Sequence, residues 1–179
     1  RTWRKLATGL PKGDMGKIGL AVTPADPNLV YATIEATGEE RGFYRSRDKG
    51  ESWERRNGYI SGGTGPHYYQ EIEASPHDPE LVYQMDVFLN VPRNGGATFG
   101  LLEAGHDKHS DNHALVIDPG NGRHLLVGTD AGLYESFDEG TTWRHFPNLP
   151  VSQFYKVALN SRSPFYDVMV GAQDLGTMH

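Results

Sequence analysis

Two stretches of the chain carry one pattern: SRDKGESW at 46–53 and SFDEGTTW at 136–143 both read S-x-D-x-G-x-[ST]-W. A third, PRNGGATF at 92–99, keeps Asn94 for the aspartate, Gly96, Thr98 and the aromatic Phe99, and the opening RTW fits the tail of a fourth. The aromatics fall at 3, 53, 99 and 143, in steps of 50, 46 and 44 residues. Self-similarity at that interval implies a chain built from copies of one small unit, each burying its apolar faces against its neighbours. The chemistry of the pattern is that of a tight turn. Ser46, Ser136, Asp48 and Asp138 can accept hydrogen bonds from turn N–H groups, and Gly50, Gly96 and Gly140 supply positive φ. Trp53, Phe99 and Trp143 are placed to pack between neighbouring sheets.

A second element keeps the same phase. TPADPNLVYA at 23–32, SPHDPELVYQ at 75–84 and IDPGNGRHLLVG at 117–128 each set Asp-Pro between two short apolar runs, and NSRSPFYDVMVG at 160–171 reads as a fourth copy without that aspartate. Each unit therefore predicts strand, Asp-Pro turn, strand, hairpin, strand, box turn, strand. Four antiparallel strands per repeat of this length predict an all-β fold, a segment of a β-propeller. The units run 12–56, 57–102 and 103–146, with an incomplete one at 147–179 and the tail of a preceding blade at 1–11. Propellers close with at least four blades, so the spacing leads to the expectation of a fragment, or a partial assembly whose edges require remaining blades or a second chain.

Composition narrows the function classes. The net charge of −6, with both signs interspersed, leaves no basic stripe for nucleic acid. No apolar run reaches the roughly 18 residues of a membrane span. Cysteine is absent, which excludes disulfides and thiol catalysis. No signal-peptide pattern opens the chain at RTWRKL, and no nucleophile-elbow, phosphate-loop or kinase motif occurs.

SRDKGESW and SFDEGTTW resemble the Asp-box of BNR-repeat propellers, a group that includes sialidases, xyloglucanase-type glycoside hydrolases and the sortilin (VPS10) propeller. The run DNHALVIDPGNGRHLLVGTDAGLYESFDEGTTWRHFPNLPVSQFY, followed by VGAQDLGT, is similar to large exported bacterial proteins labelled glycosyl hydrolase or sortilin-like. The resemblance implies a secreted or periplasmic protein with a carbohydrate or protein ligand. It leaves activity open, because Asp-boxes occur in enzymes and binding modules alike.

The densest chemistry is HDKHSDNH at 106–113. Aligning the units on Val22, Ala74 and Val116 puts Gly19, Glu71 and His113 at one level of the innermost strands. Lys17, Tyr69 and Asp111 fall one step back, and Met15, His67 and His109 a further step; Tyr155 and Gln153 take the first two levels in the fourth unit. Three readings follow. A divalent metal would be held by His109, Asp111 and His113, with Glu71 as the alternative carboxylate. Glycoside hydrolysis would use Glu71 and Asp111 as paired carboxylates, with Tyr68, Tyr69 and Tyr155 as sugar-stacking surfaces. The third reading, preferred at this point, is a binding or scaffolding module whose channel mouth carries a polar cluster, with His67, Tyr69, His113 and Tyr155 meeting the ligand and no cofactor required. A sialidase is disfavoured because no arginine falls on the channel face. Thr129 and Asp130, like Gln173 and Asp174, read as turn residues.

Overall fold

The computed structural model describes residues 2–60, 69–102, 107–149, 153–172 and 176–178, which form two compact units, Arg1–Phe146 and Pro147–His179. The first unit consists of three four-stranded antiparallel sheets, each meandering in chain order. The first sheet is β1 (Met15–Thr23), β2 (Asp26–Ala36), β3 (Gly42–Ser46) and β4 (Glu54–Asn57). The second is β5 (Ile72–Ala74), β6 (Val82–Gln84), β7 (Asn90–Arg93) and β8 (Thr98–Leu101). The third is β9 (Asn112–Asp118), β10 (Asn121–Thr129), β11 (Gly132–Ser136) and β12 (Arg144–His145). These are the blades of a partial β-propeller.

The two repeated sequence elements form one joint in each blade. At the Asp-Pro turn the aspartate accepts the N–H two residues on: Asn28 to Asp26 at 2.9 Å, Glu80 to Asp78 at 2.9 Å, and Gly120 to Asp118 at 2.7 Å. At the box turn the Ser136 hydroxyl donates to Asp138 at 2.8 Å and accepts the Gly140 N–H at 2.8 Å, while Asp138 accepts the Thr142 N–H and hydroxyl at 2.8 and 2.7 Å. Ser46, Asp48, Gly50 and Ser52 repeat this set. The residue before each box glycine then reaches back to the Asp-Pro turn: Lys49 N–H to the Asn28 carbonyl at 2.9 Å, Gly95 to Glu80 at 3.1 Å, and Glu139 to Arg123 at 3.0 Å. That residue has a φ of 60–61° in all three blades. The degenerate box at 92–99 therefore keeps the joint although it lacks the serine and the aspartate.

The core lies between blades. Tyr31 and Phe43 of the first blade meet Ile72, Ala74 and Val82 of the second, and Tyr83, Leu89 and Val91 meet Leu115, Leu125 and Val127 of the third. Each box aromatic packs on the face of its blade that meets the preceding one. Phe99 stands edge-on to Phe43 at 5.5 Å, Trp143 joins the cluster between the second and third blades, and Trp53 covers Ala32, Ile34 and Tyr44 together with Leu10. Trp3, by contrast, is fully exposed. The box glycines of the second and third blades are doubly constrained. Gly96 and Gly140 have φ of 85° and 87°, and a Cβ at either would lie 2.1 Å from the Phe43 ring or 2.5 Å from Leu102. On β1, Ala21 and Thr23 are buried while Ile18, Leu20 and Val22 between and beside them are exposed.

The second unit is a three-stranded antiparallel sheet, β13 (Phe154–Leu159), β14 (Val168–Ala172) and β15 (Gly176–Met178). Its first connection is closed by Asn160 and Asp167: the Asp167 N–H donates to Asn160 Oδ1 at 3.0 Å, and the Asn160 N–H to the Asp167 carbonyl at 3.3 Å.

Candidate functional site

The strands that precede the Asp-Pro turns, β1, β5 and β9, are edge strands of their sheets, and they converge on an open cleft of about 380 Å³. Lys17, Gly19, Glu71, Glu73, Met85 and His113 are among its walls. Gly19 permits the approach of the first two blades, since a Cβ there would lie 1.6 Å from the Gln70 carbonyl oxygen.

Two glutamates of β5 and its approach face this cleft in different surroundings. Glu71 accepts from Lys17 Nζ at 2.9 Å and from the Gln70 N–H at 3.0 Å. Burial works to raise its pKa, but the Lys17 ammonium and the backbone N–H groups outweigh that effect and hold the carboxyl below the ordinary glutamate value. The Glu73 carboxyl has neither hydrogen bond nor ion pair among the described residues, and burial raises its pKa. The cleft thus contains one carboxyl whose pKa is held down by a cation and backbone N–H groups and one whose pKa burial raises. Gln70 is fully buried, accepts from Thr33 Oγ1 at 2.9 Å, and leaves Nε2 without an acceptor among the described residues.

The histidine-rich segment departs from the alternation its sequence suggests. The strand begins only at Asn112, because Asp111 adopts a φ of 62°, which breaks the period of two. His109, Asp111 and His113 therefore do not form one strand face. Asp111 accepts from Tyr69 Oη and Ser110 Oγ, both at 2.8 Å, and its N–H donates to the Val87 carbonyl at 2.8 Å. His109 donates from Nδ1 to the Ser110 carbonyl at 2.9 Å. His113 stacks on Tyr69 at 5.6 Å and pairs through Nε2 with Asp130 at 2.7 Å. Among the described residues no three histidine or carboxylate side chains gather as a metal-holding group, so the expected His109, Asp111 and His113 set is not assembled.

Of the other expected site residues, Tyr69 is buried, with 2% of its surface exposed, and serves as a brace between blades. Tyr155 stands on β13 in the second unit. His67 and Tyr68 lie outside the described residues. Asp111 is absent from the cleft lining, and Glu73, which sequence reasoning passed over, is present. Its signal was available in EIEA at 71–74, where two glutamates two apart on a strand share a face. Lys108 and Asn112, which alternate with the expected site residues, are the buried members of the segment among the described residues. Lys108 Nζ donates to Asn112 Oδ1 at 2.6 Å, and Asn112 Nδ2 donates to the Asp86 carbonyl at 2.9 Å.

No protein-family model matches the chain. It is 30% identical to an oligoxyloglucan-reducing end-specific xyloglucanase of Emericella nidulans, over 74% of this chain and 18% of that protein. It is 24% identical to a xyloglucanase of a Paenibacillus species, over 83% of this chain and 16% of that protein. The chain thus spans less than a fifth of the length of either curated relative. Among solved structures, the GH74 enzyme of Niastella koreensis superposes with a TM-score of 0.58 at 18% identity, covering 86% of this chain and 25% of that one. The likeness to that structure establishes the β-propeller fold.

Proposed function

We propose that the chain is part of a glycoside hydrolase-like propeller protein acting on a xyloglucan-type polysaccharide. The observation that carries this reading is the alignment of most of the chain with two proteins that are both named xyloglucanases. The cleft supports it: an open groove with an ionised carboxylate, Glu71, suits a reaction that needs carboxyl groups beside a sugar. The relatives weigh toward hydrolysis and against the binding or scaffolding module that the sequence alone favours. An exported location accords with the resemblance of the box turns to BNR-repeat and sortilin-like proteins.

The test is incubation with xyloglucan and a panel of other β-glucans, with reducing ends followed over time. Release from xyloglucan, with about a 100-fold or greater loss of rate in Glu71→Gln, is the expected result. Retention of polysaccharide on the protein with no release of sugar would return the assignment to a binding module.

A further inference from the structure

We propose that Glu73 is the proton donor of this cleft, paired with Glu71 on the same strand. The inference rests on the hydrolase reading above and names a residue for it.

Three observations converge. First, Ile72 pairs with Gln84 and Glu73 with Tyr83, and the ladder continues one residue back through the Met85 N–H to the Glu71 carbonyl at 2.9 Å. Glu71 and Glu73 are therefore two apart on extended backbone. They share a face, with Cα atoms about 7 Å apart at about 3.3 Å of rise per residue. That spacing brings two carboxyl groups into the range of about 5–10 Å that glycoside hydrolysis uses. Second, both line the same cleft, and Lys17 of the first blade and His113 of the third line it with them. Third, the two environments differ. Lys17 holds Glu71 as the anion, whereas the Glu73 carboxyl, which shares the cleft wall with Met85, Ala114 and Leu115, meets no cation or donor from the described residues. Burial favours the protonated form of Glu73.

In the step assigned here, the Glu73 carboxyl proton passes to the glycosidic oxygen as the bond from that oxygen to the anomeric carbon breaks, the bonding pair staying with the oxygen. Glu71 takes a proton from the water whose oxygen forms the new bond to the anomeric carbon. One carboxyl has then lost a proton and the other gained one, and exchange with solvent restores both. The products are the two sugar fragments of a hydrolysed glycoside.

The experiment compares wild type and Glu73→Gln on xyloglucan and on two aryl glycosides of its repeating unit, with dinitrophenol and methylphenol as leaving groups. It also follows the two glutamate carboxyls by carbon-13 NMR titration of the chain. The expected result is a loss of about 100-fold or more on xyloglucan and on the methylphenyl glycoside, with the dinitrophenyl substrate within about 10-fold, because a good leaving group needs no proton. In the titration Glu73 should hold its proton at a pH where Glu71 has lost its own. A merely structural role would slow all three substrates alike and overturns the assignment, as does a Glu73 carboxyl that titrates at or below Glu71. If Glu73→Gln matches wild type on every substrate, Glu73 falls while the hydrolase reading stands. If wild type releases nothing from any of the three, the hydrolase reading falls and the assignment falls with it.

Discussion

Tyr69 donates its phenolic hydrogen to Asp111 Oδ1 at 2.8 Å, joining the approach to the second blade to the residue just before the third. The ring of the same tyrosine stacks on His113, and the Asp111 carbonyl accepts the Asp130 N–H at 3.3 Å, so one contact joins four positions, of which His113 lines the cleft. Tyr69→Phe keeps the stack and removes the bond. A hydrogen bond to a charged acceptor contributes about 1.5–3 kcal/mol, and urea unfolding should show a loss of that order. No change in the urea midpoint would mean that Ser110 alone suffices to hold Asp111.

His124 is clamped between two carboxylates, Nδ1 to Asp118 at 3.0 Å and Nε2 to Glu135 at 3.0 Å, with Phe137 stacked on its ring at 4.5 Å and Arg144 also pairing with Glu135. Asp118 and then Glu135 raise the histidine pKa, because only the imidazolium donates from both nitrogens. A pKa higher in the folded state gives a contribution fully present below the unfolded value of about 6.5 and lost as pH rises through the folded one. Asp118 and Glu135 are shifted the other way, so their share is present above the ordinary carboxylate range and lost as pH falls through their depressed values. Stability should therefore fall as pH rises above about 6.5 in wild type and less so in His124→Gln, as read from thermal midpoints across pH. Parallel profiles for the two proteins would refute the clamp.

The fold was legible because its signals are local. A Ser, an Asp and a Gly at fixed offsets make the box turn wherever they occur, and period-two runs beside Asp-Pro make strands. The site was less so. The register that places Gly19, Glu71 and His113 around one cleft follows from counting along strands, but the count fails at Asp111, where a positive φ that no periodicity encodes turns His109 off the strand. Nor does spacing disclose which polar groups have partners. Lys108 and Asn112 are interior because each satisfies the other, and Glu73 matters because it lacks a partner among the described residues.

The box glycines differ in what a methyl group would meet. At Gly50 an added Cβ finds its nearest neighbour, the Trp53 ring, at 3.7 Å, so Gly50→Ala carries only the penalty of a φ of 90°, about 1 kcal/mol. At Gly140 the same methyl group lies 2.5 Å from Leu102 and 3.0 Å from Trp143, adding an overpacking cost of about 1–3 kcal/mol. Denaturant titration should rank Gly140→Ala as the more destabilised, and Leu102→Ala should relieve part of the difference. Equal losses at the two glycines would show that the blade contact yields freely.

Lys17 is the group that keeps Glu71 ionised, and replacing it isolates its effect. In Lys17→Met the burial of Glu71 is opposed only by backbone N–H groups, so the carboxyl should titrate at higher pH than in wild type, as carbon-13 NMR of the labelled side chain would record. The sign carries into stability. A folded pKa held below the unfolded one contributes above the ordinary glutamate value of about 4.3 and is lost as pH falls through the folded value. The stability gap between wild type and Lys17→Met should accordingly close on acidification. The acid limb of any hydrolytic rate should move to higher pH in the variant, since Glu71 must be ionised to accept a proton. A Glu71 that titrates alike in both proteins would assign its ionisation to the backbone N–H groups instead.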